Sequence, residues 1–113
     1  MSQITTHILD TSKGKPAAGV TVVLEKKSDG EKWNRIGNGE TNTDGRVSNL
    51  LPEGQTTEPG IYRLVFDTKS YFEKQNTSGF YPSVTIVFEI KDSSHYHVPL
   101  LLNPYGYSTY RGS

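Results

Sequence analysis

The sequence predicts an all-β protein, a two-sheet β-sandwich of seven to eight short strands with one short helix. Its 113 residues include 12 Thr, 8 Val and 6 Ile but only 2 Ala, and β-branched side chains pack well on a pleated sheet. Eleven Gly and six Pro interrupt the chain at short intervals, as turns between short strands require. Between these turns apolar and polar residues alternate, which is typical of strands that bury one face. Two sheets packed face to face would bury those faces together.

The first half of the chain contains four predicted strands with turns between them. They cover residues 3–9, 19–27, 32–37 and 46–50. In the first strand Ile4 and Ile8 share a face, so His7 points to the opposite one. Gly37-Asn38-Gly39 predicts a turn that ends the third strand, and Asp44-Gly45 predicts a turn that leads into the fourth.

The second half predicts a loop, three strands, one helix and a docked tail. The loop covers residues 51–59, the strands cover 61–67, 83–91 and 95–102, and the helix covers 68–76. Asp67 or Thr68 is a suitable cap for the helix. In the last of these strands the residues that face away from the apolar side are His95, His97, Pro99 and Leu101. The tail contains Tyr105, Tyr107 and Tyr110, and we expect so aromatic a segment to dock as a final strand rather than fray.

Composition excludes several classes of protein. Lysine plus arginine and aspartate plus glutamate count 12 each, which leaves no basic field for nucleic acid or an anionic membrane. No cysteine is present, so disulfides, thiolate nucleophiles and cysteine-built metal sites are excluded. No apolar run approaches the roughly 20 residues that span a bilayer, and the N-terminal residues lack signal-peptide features. We therefore predict one domain in the cytoplasm. Its thin core, at 33% hydrophobic residues, favours association between copies.

Two histidines and one arginine are the candidate chemical groups. His7 and His97 both point away from the apolar sides of their strands, and Arg46 points away from Val47. Neutral imidazoles exchange protons near neutral pH, and a guanidinium fork suits a planar, carbonyl-rich or anionic ligand. No nucleophilic-serine elbow and no glycine-rich phosphate loop is present, so water is the expected nucleophile. Periodicity alone leaves open whether the three side chains meet or are simply exposed.

A zinc site is the alternative use of the histidines. His95 and His97 form a His-x-His pair on one strand face, a spacing that zinc sites use, and His7 is a possible third ligand. No second metal-binding motif accompanies the pair. We therefore predict no bound metal.

Four segments closely resemble one family, the transthyretin-related 5-hydroxyisourate hydrolases of purine degradation. The resemblance extends over essentially the whole chain, residues 1–113, and its most specific element is the C-terminal tetrapeptide. The segments are His7-Ile8-Leu9-Asp10, Thr43-Asp44-Gly45-Arg46, His95-Tyr96-His97-Val98-Pro99-Leu100-Leu101-Leu102 and Tyr110-Arg111-Gly112-Ser113.

The resemblance implies a fold, a reaction and an assembly. The fold is a transthyretin-like sandwich, and the reaction is hydrolysis of 5-hydroxyisourate to 2-oxo-4-hydroxy-4-carboxy-5-ureidoimidazoline without a cofactor. The assembly is a homotetramer, a dimer of dimers, with active sites in a channel between dimers. The catalytic set implied for this sequence is His7, Arg46, His97 and Ser113. The substrate-binding set is His7, Arg46, Tyr110, Arg111, Gly112 and Ser113.

Two other functions compete with this hydrolase. One is a transthyretin-like protein that binds a small ligand in the same channel without chemistry. A carrier would need neither the histidine pair nor the terminal tetrapeptide, both of which are intact here. The other is a zinc-binding protein that uses His95 and His97. The sequence leaves open which of His7 and His97 acts as the general base.

Overall fold

The computed structural model describes residues 2–113 and contains two β-sheets packed face to face. The five-stranded sheet contains β1 (Ile4–Asp10), β2 (Lys15–Pro16), β5 (Arg46–Val47), β8 (Tyr96–Asn103) and β9 (Gly106–Thr109). The four-stranded sheet contains β3 (Thr21–Lys27), β4 (Trp33–Glu40), β6 (Gly60–Phe66) and β7 (Val84–Ile90). The predicted two-sheet sandwich is confirmed. Residues 2–113 contain nine strands, one more than predicted, because the two-residue strand β2 was not expected. The strand predicted at 46–50 is present in shorter form as β5.

Strand order brings the two ends of the chain together. The five-stranded sheet runs β2-β1-β8-β9, with β5 also pairing with β1, and the other sheet runs β4-β3-β6-β7. β1 and β8 are parallel, with Thr5 opposite His97 and His7 opposite Pro99, whereas the other strand pairs are antiparallel. The parallel pair places both predicted histidine strands side by side in the middle of one sheet.

The alternating residues fill the space between the sheets as predicted. Ile4 and Ile8 of β1 are completely buried, and Val98 and Leu100 of β8 are buried beside them. The opposite sheet contributes a second buried row, made of Val22, Leu24, Tyr62, Leu64 and Phe66. Since each strand gives one face to this core, the other face of β1 and β8 is left for the site.

The predicted turn at Gly37-Asn38-Gly39 is wrong, because β4 continues through these residues and stays paired with β3. A side chain at Gly37 would place its Cβ 1.9 Å from the carbonyl oxygen of Leu50. At Gly39 the Cβ would lie 2.6 Å from Cγ1 of Val47. The glycines therefore allow the segment after β5 to cross closely over β4, and they do not reverse the chain.

The helix and the tail are both present, in shorter form than predicted. Helix α1 covers Thr68–Glu73, and its cap is Asp67, whose side chain accepts a hydrogen bond from the backbone N–H of Ser70. β9 pairs antiparallel with β8, which confirms that the tail docks as a strand. No helix within residues 2–113 has the length and apolar content to span a membrane.

Candidate active site

The site lies on the outer face of the five-stranded sheet, where β1, β5 and β8 meet. His7 of β1 is directly opposite Arg46 of β5, and Thr5 is directly opposite His97 of β8. Side chains two residues apart on a strand share a face, so Thr5 and His7 both point out of the sandwich. Strand register thus establishes the adjacency of the two histidines and the arginine that periodicity left open.

A shallow depression of about 160 Å³ marks this face. Its wall includes Arg46, His97 and the C-terminal Ser113, together with Thr5, Thr6, Val47, Ser48 and His95. Arg46 and Ser113 are exposed, whereas His7 and His97 are half-buried. The depression is open to solvent on one side and is too shallow to enclose a ligand within one copy of the chain.

The electrostatic environment holds both histidines in the neutral form. Burial lowers the pKa of His7, and the positive charge of Arg46 lowers it further, while a hydrogen bond to the backbone of Asp44 acts in the opposite direction. For His97 burial again lowers the pKa most, followed by the charges of Arg46, His95 and His7. Two neutral imidazoles beside a guanidinium can accept a proton, return one and bind a carbonyl oxygen.

Thr5 is a site residue that the sequence reasoning missed. Its Oγ1 atom lies 2.8 Å from Nε2 of His95 and 2.8 Å from Nδ1 of His97. The residue is only 5% exposed. Its position two residues before His7 was the available signal, since that spacing places both side chains on one strand face.

The terminal tetrapeptide splits into two parts with different surroundings. The backbone N–H of Gly112 donates a 2.8 Å hydrogen bond to the carbonyl oxygen of His97, and this bridge carries Ser113 into the depression. A Cβ on Gly112 would lie 2.6 Å from Cδ2 of His97. The tail therefore packs directly against one catalytic candidate.

Tyr110 and Arg111 line a different surface, a groove between β7 and β8. The guanidinium of Arg111 lies 4.1 Å over the ring of Tyr96 and donates a 3.2 Å hydrogen bond to the carbonyl oxygen of His95. Tyr110 is 58% exposed. His97 lines both this groove and the depression, whereas Arg46 lines only the depression. Contact of Tyr110 and Arg111 with substrate stays a prediction.

His95 and His97, the pair considered for zinc, each use one ring nitrogen in a hydrogen bond with Thr5. The rings of His95 and His97 are stacked, with centroids 6.2 Å apart and planes 26° apart, and each ring presents one nitrogen to Thr5. Within residues 2–113, no group of three or more His, Cys, Asp or Glu side chains is arranged to hold a metal ion.

The fold and the site together define a class: a transthyretin-type β-sandwich with imidazole and guanidinium groups on the outer face of one sheet. The family model described as Transthyretin, the HIUase/Transthyretin family, matches residues 4–112. The chain therefore belongs to this family.

The chain is similar both to 5-hydroxyisourate hydrolases and to a transthyretin. The 5-hydroxyisourate hydrolase of Salmonella dublin is 50% identical over 111 residues, which is 97% of this chain and 80% of the relative. A solved Klebsiella pneumoniae 5-hydroxyisourate hydrolase superposes with a TM-score of 0.84 at 38% identity, over 97% of this chain and 98% of the other. Sea bream transthyretin in complex with thyroxine superposes with a TM-score of 0.91 at 34% identity, over 98% of this chain and 95% of the other.

Proposed function

We propose that the chain is a 5-hydroxyisourate hydrolase, which opens a ring of its substrate by water attack during urate degradation. The observation that carries the proposal is the cluster of His7, Arg46 and His97 on one sheet face, brought together by the pairing of β1 with β5 and β8. Identity of 50% to the Salmonella dublin hydrolase supports it.

The reaction needs a proton acceptor, a proton donor and a group that binds the developing negative charge. The oxygen of water bonds to the carbonyl carbon of a cyclic amide, the carbon–nitrogen bond breaks, and the nitrogen takes up a proton. One of His7 and His97 accepts the proton from water, and the other orients the water or protonates the nitrogen. Arg46 holds the planar substrate and stabilises the oxyanion. No step uses a cofactor.

The tail completes the substrate site in this proposal. Ser113 lines the same depression as Arg46 and His97, so its hydroxyl is available to the substrate. Gly112 brings the backbone against the His97 ring, and Tyr110 and Arg111 complete the contacts when copies of the chain assemble. A C-terminal extension would displace Ser113 and should reduce turnover.

We further propose a homotetramer that works in the cytoplasm. A depression of about 160 Å³ leaves a bound substrate in contact with water, whereas two such faces packed together would enclose it. Exposed apolar side chains at Val87 and Tyr110, 57% and 58% accessible, support association between copies. Light scattering on the purified chain measures the assembly, and a monomer with full activity would contradict this part of the proposal.

The experiment that tests the activity follows the substrate directly. 5-Hydroxyisourate is generated with urate oxidase, and its ultraviolet absorbance is followed with and without the chain. We expect the decay to accelerate in proportion to the concentration of the chain. Decay at the spontaneous rate would overturn the hydrolase and favour the alternative, a small-ligand carrier, to which the likeness to sea bream transthyretin points.

A further inference from the structure

The most unusual hydrogen bonding on the site face is the Thr5 hydroxyl between two imidazole rings. Oγ1 of Thr5 contacts Nε2 of His95 and Nδ1 of His97 at the same distance, 2.8 Å. Its side chain is 95% buried, since only 5% is exposed. These are the hydrogen-bond partners of that hydroxyl within residues 2–113.

A hydroxyl has one proton to donate, and this restricts the two rings. When Thr5 donates to His95, the Nδ1–H of His97 donates to Thr5, and Nε2 of His97 keeps a free lone pair. When His95 is doubly protonated, its Nε2–H donates to Thr5, and the Thr5 proton then goes to Nδ1 of His97. The proton of neutral His97 must then sit on Nε2, because a buried hydroxyl proton without an acceptor costs about 1–3 kcal/mol.

We propose that Thr5 is a positioning residue that couples the protonation of His95 to the tautomer of His97. With His95 neutral, Thr5 can donate to either ring, so Nε2 of His97 can be a proton acceptor. With His95 protonated, the same atom is a donor. The coupling itself is independent of the substrate, and its consequence for turnover rests on the proposed hydrolase.

The placement of the rings makes the coupling directional. His95 precedes β8 and is exposed, whereas His97 is half-buried, so solvent reaches the first ring more freely. The Cγ–Cδ2 edge of His97 lies against Gly112, where an added Cβ would be 2.6 Å from Cδ2 and 3.4 Å from Cγ. The tautomer set through Nδ1 therefore belongs to a ring that packs against the tail and lines the depression.

Several charged or titratable groups face these rings, and the test must separate their effects from that of Thr5. His7 comes from β1 and Arg46 from β5, and both charges act on His97. The C-terminal Ser113 lines the same depression, and Arg111 lies against the carbonyl oxygen of His95. Arg46 and His7 act on the pKa of His97, but a shared hydroxyl is needed to link one ring's proton to the other ring's tautomer.

The direct test reads the ring nitrogens by long-range ¹H–¹⁵N correlation spectra between about pH 5 and 8, where histidine titrates. In the full chain we expect His97 to move toward the Nε2–H tautomer as His95 takes up its second proton. Thr5→Val should abolish this linked change, and Thr5→Ser should retain it. A linked change that persists in Thr5→Val, or is absent from the unsubstituted chain, would overturn the proposal.

A second variant keeps the test decisive if Thr5→Val does not fold. His95→Ala removes the other partner at an exposed position and leaves the Thr5–His97 contact in place. We expect this variant to lose the linked change of the His97 tautomer that the unsubstituted chain shows. A tautomer ratio that still changes as in the unsubstituted chain would contradict the role of His95.

Kinetics supply the second readout. Thr5→Val should lower kcat about tenfold or more with KM changed less than about twofold, because a correctly protonated acid–base group contributes about 100-fold or more. Thr21→Val, an exposed position at the start of β3, is the matched control and should leave kcat unchanged.

The two proposals fail in different ways. If the unsubstituted chain does not accelerate 5-hydroxyisourate decay, the hydrolase is wrong, and the ring spectra still decide the coupling. If the chain is active but Thr5→Val keeps both its kcat and the linked tautomer change, the hydrolase stands and the coupling is wrong.

Discussion

The outer face of each sheet contains an arginine, and the two arginines differ in whether they form an ion pair. On the four-stranded sheet, Nε of Arg63 lies 2.6 Å from Oε1 of Glu25, and the guanidinium is 4.2 Å over the ring of Trp33. On the five-stranded sheet, Arg46 is exposed beside His7 and His97. Arg46 makes no ion pair with another of the residues 2–113.

This difference separates a charge that is paired within the fold from one to which we assign a role in binding the substrate. Arg63 has an acidic partner and an aromatic surface within its own sheet, so its charge is already paired when the chain folds. The field of Arg46 helps to keep the pKa values of its two histidine neighbours low. A cation that makes no ion pair within residues 2–113, on a surface that also holds imidazoles, is available to a carbonyl-rich or anionic ligand.

The largest expected effect tests whether the five-stranded face is catalytic at all. His97→Asn removes a titrating nitrogen but keeps polar atoms, and it should lower kcat by about 100-fold or more. The thermal midpoint should move by no more than about 5 °C, which corresponds to about 1 kcal/mol for a domain of this size. Ultraviolet kinetics and a thermal melt measure both, and unchanged kcat would remove His97 from the mechanism.

The matched arginine variants test the comparison itself. Arg46→Gln should lower kcat/KM about 100-fold, because it removes the group that binds the developing oxyanion. Arg63→Gln should leave kcat/KM within about twofold and cost at most about 1 kcal/mol, since the ion pair it breaks is partly exposed. Equal losses of activity in the two variants would mean that net charge, and not the position of Arg46, matters.

The sequence predicts the properties of single strands, but it does not predict which side chains of different strands meet. Alternation predicts the buried row of β1 and the outward direction of His7, because the period of two is a property of a single strand. The meeting of His7 with Arg46 depends on pairing across 39 positions of sequence, which periodicity does not contain. The bridge from Thr5 to both histidines depends on the register of β1 against β8.

The wrong turn prediction came from a glycine pattern. Gly37-Asn38-Gly39 has turn composition, but its glycines are required by the close approach of Leu50 and Val47 to a continuing strand. A turn and a tight crossing favour the same residue for different reasons. The sequence by itself does not distinguish them, because the crossing segment comes from another part of the chain.

A smaller loss is expected where the tail touches the site. Gly112→Ala would place a Cβ 2.6 Å from Cδ2 of His97 and 3.0 Å from Cγ of Pro99, so the ring or the tail must shift. We expect kcat to fall about tenfold, since small displacements of an acid–base group reduce turnover strongly. Gly106→Ala is the control, because its nearest new contact is 3.7 Å from a side-chain atom of Asn103. Similar kinetics for the two variants would exclude a role for tail packing.

The pH dependence of activity and of the unfolding free energy further distinguishes the two outer faces. Burial and then Arg46 lower the pKa values of His7 and His97 below the ordinary 6.5. Activity should therefore persist at pH 6.5 and fall only at lower pH. The unfolded chain binds these protons first, so the unfolding free energy also decreases as pH falls from 6.5 through the folded-state pKa values.

Ring-proton NMR titrations check this order. Arg46→Gln should raise both pKa values while burial keeps them below 6.5, and Arg63→Gln should leave them unchanged. Folded-state values at or above 6.5 in the unsubstituted chain would contradict the neutral site.

The smallest effect on turnover is expected at the far end of β1, where the strand serves stability alone. The carboxylate of Asp10 is 1% exposed and accepts hydrogen bonds from the hydroxyl of Tyr71 at 2.7 Å and the backbone N–H of Ser12 at 3.0 Å. Burial raises the pKa of Asp10, but the hydrogen bonds outweigh it and leave the pKa lowered. Burial and then the bond to Asp10 raise the pKa of Tyr71 to about 12.

Tyr71→Phe should therefore cost about 1–3 kcal/mol of unfolding free energy, because it leaves a buried carboxylate with one donor fewer, while kcat stays within about twofold. The contribution of neutral Tyr71 is complete below its unfolded pKa of about 10 and disappears as pH rises through about 12. Urea unfolding should consequently show a constant difference from the unsubstituted chain at neutral pH and a smaller one above about pH 10. A folded Tyr71→Phe variant with kcat reduced about tenfold, as large as the loss expected at Gly112, would show that the two ends of β1 are coupled and that the site depends on more than its own sheet face.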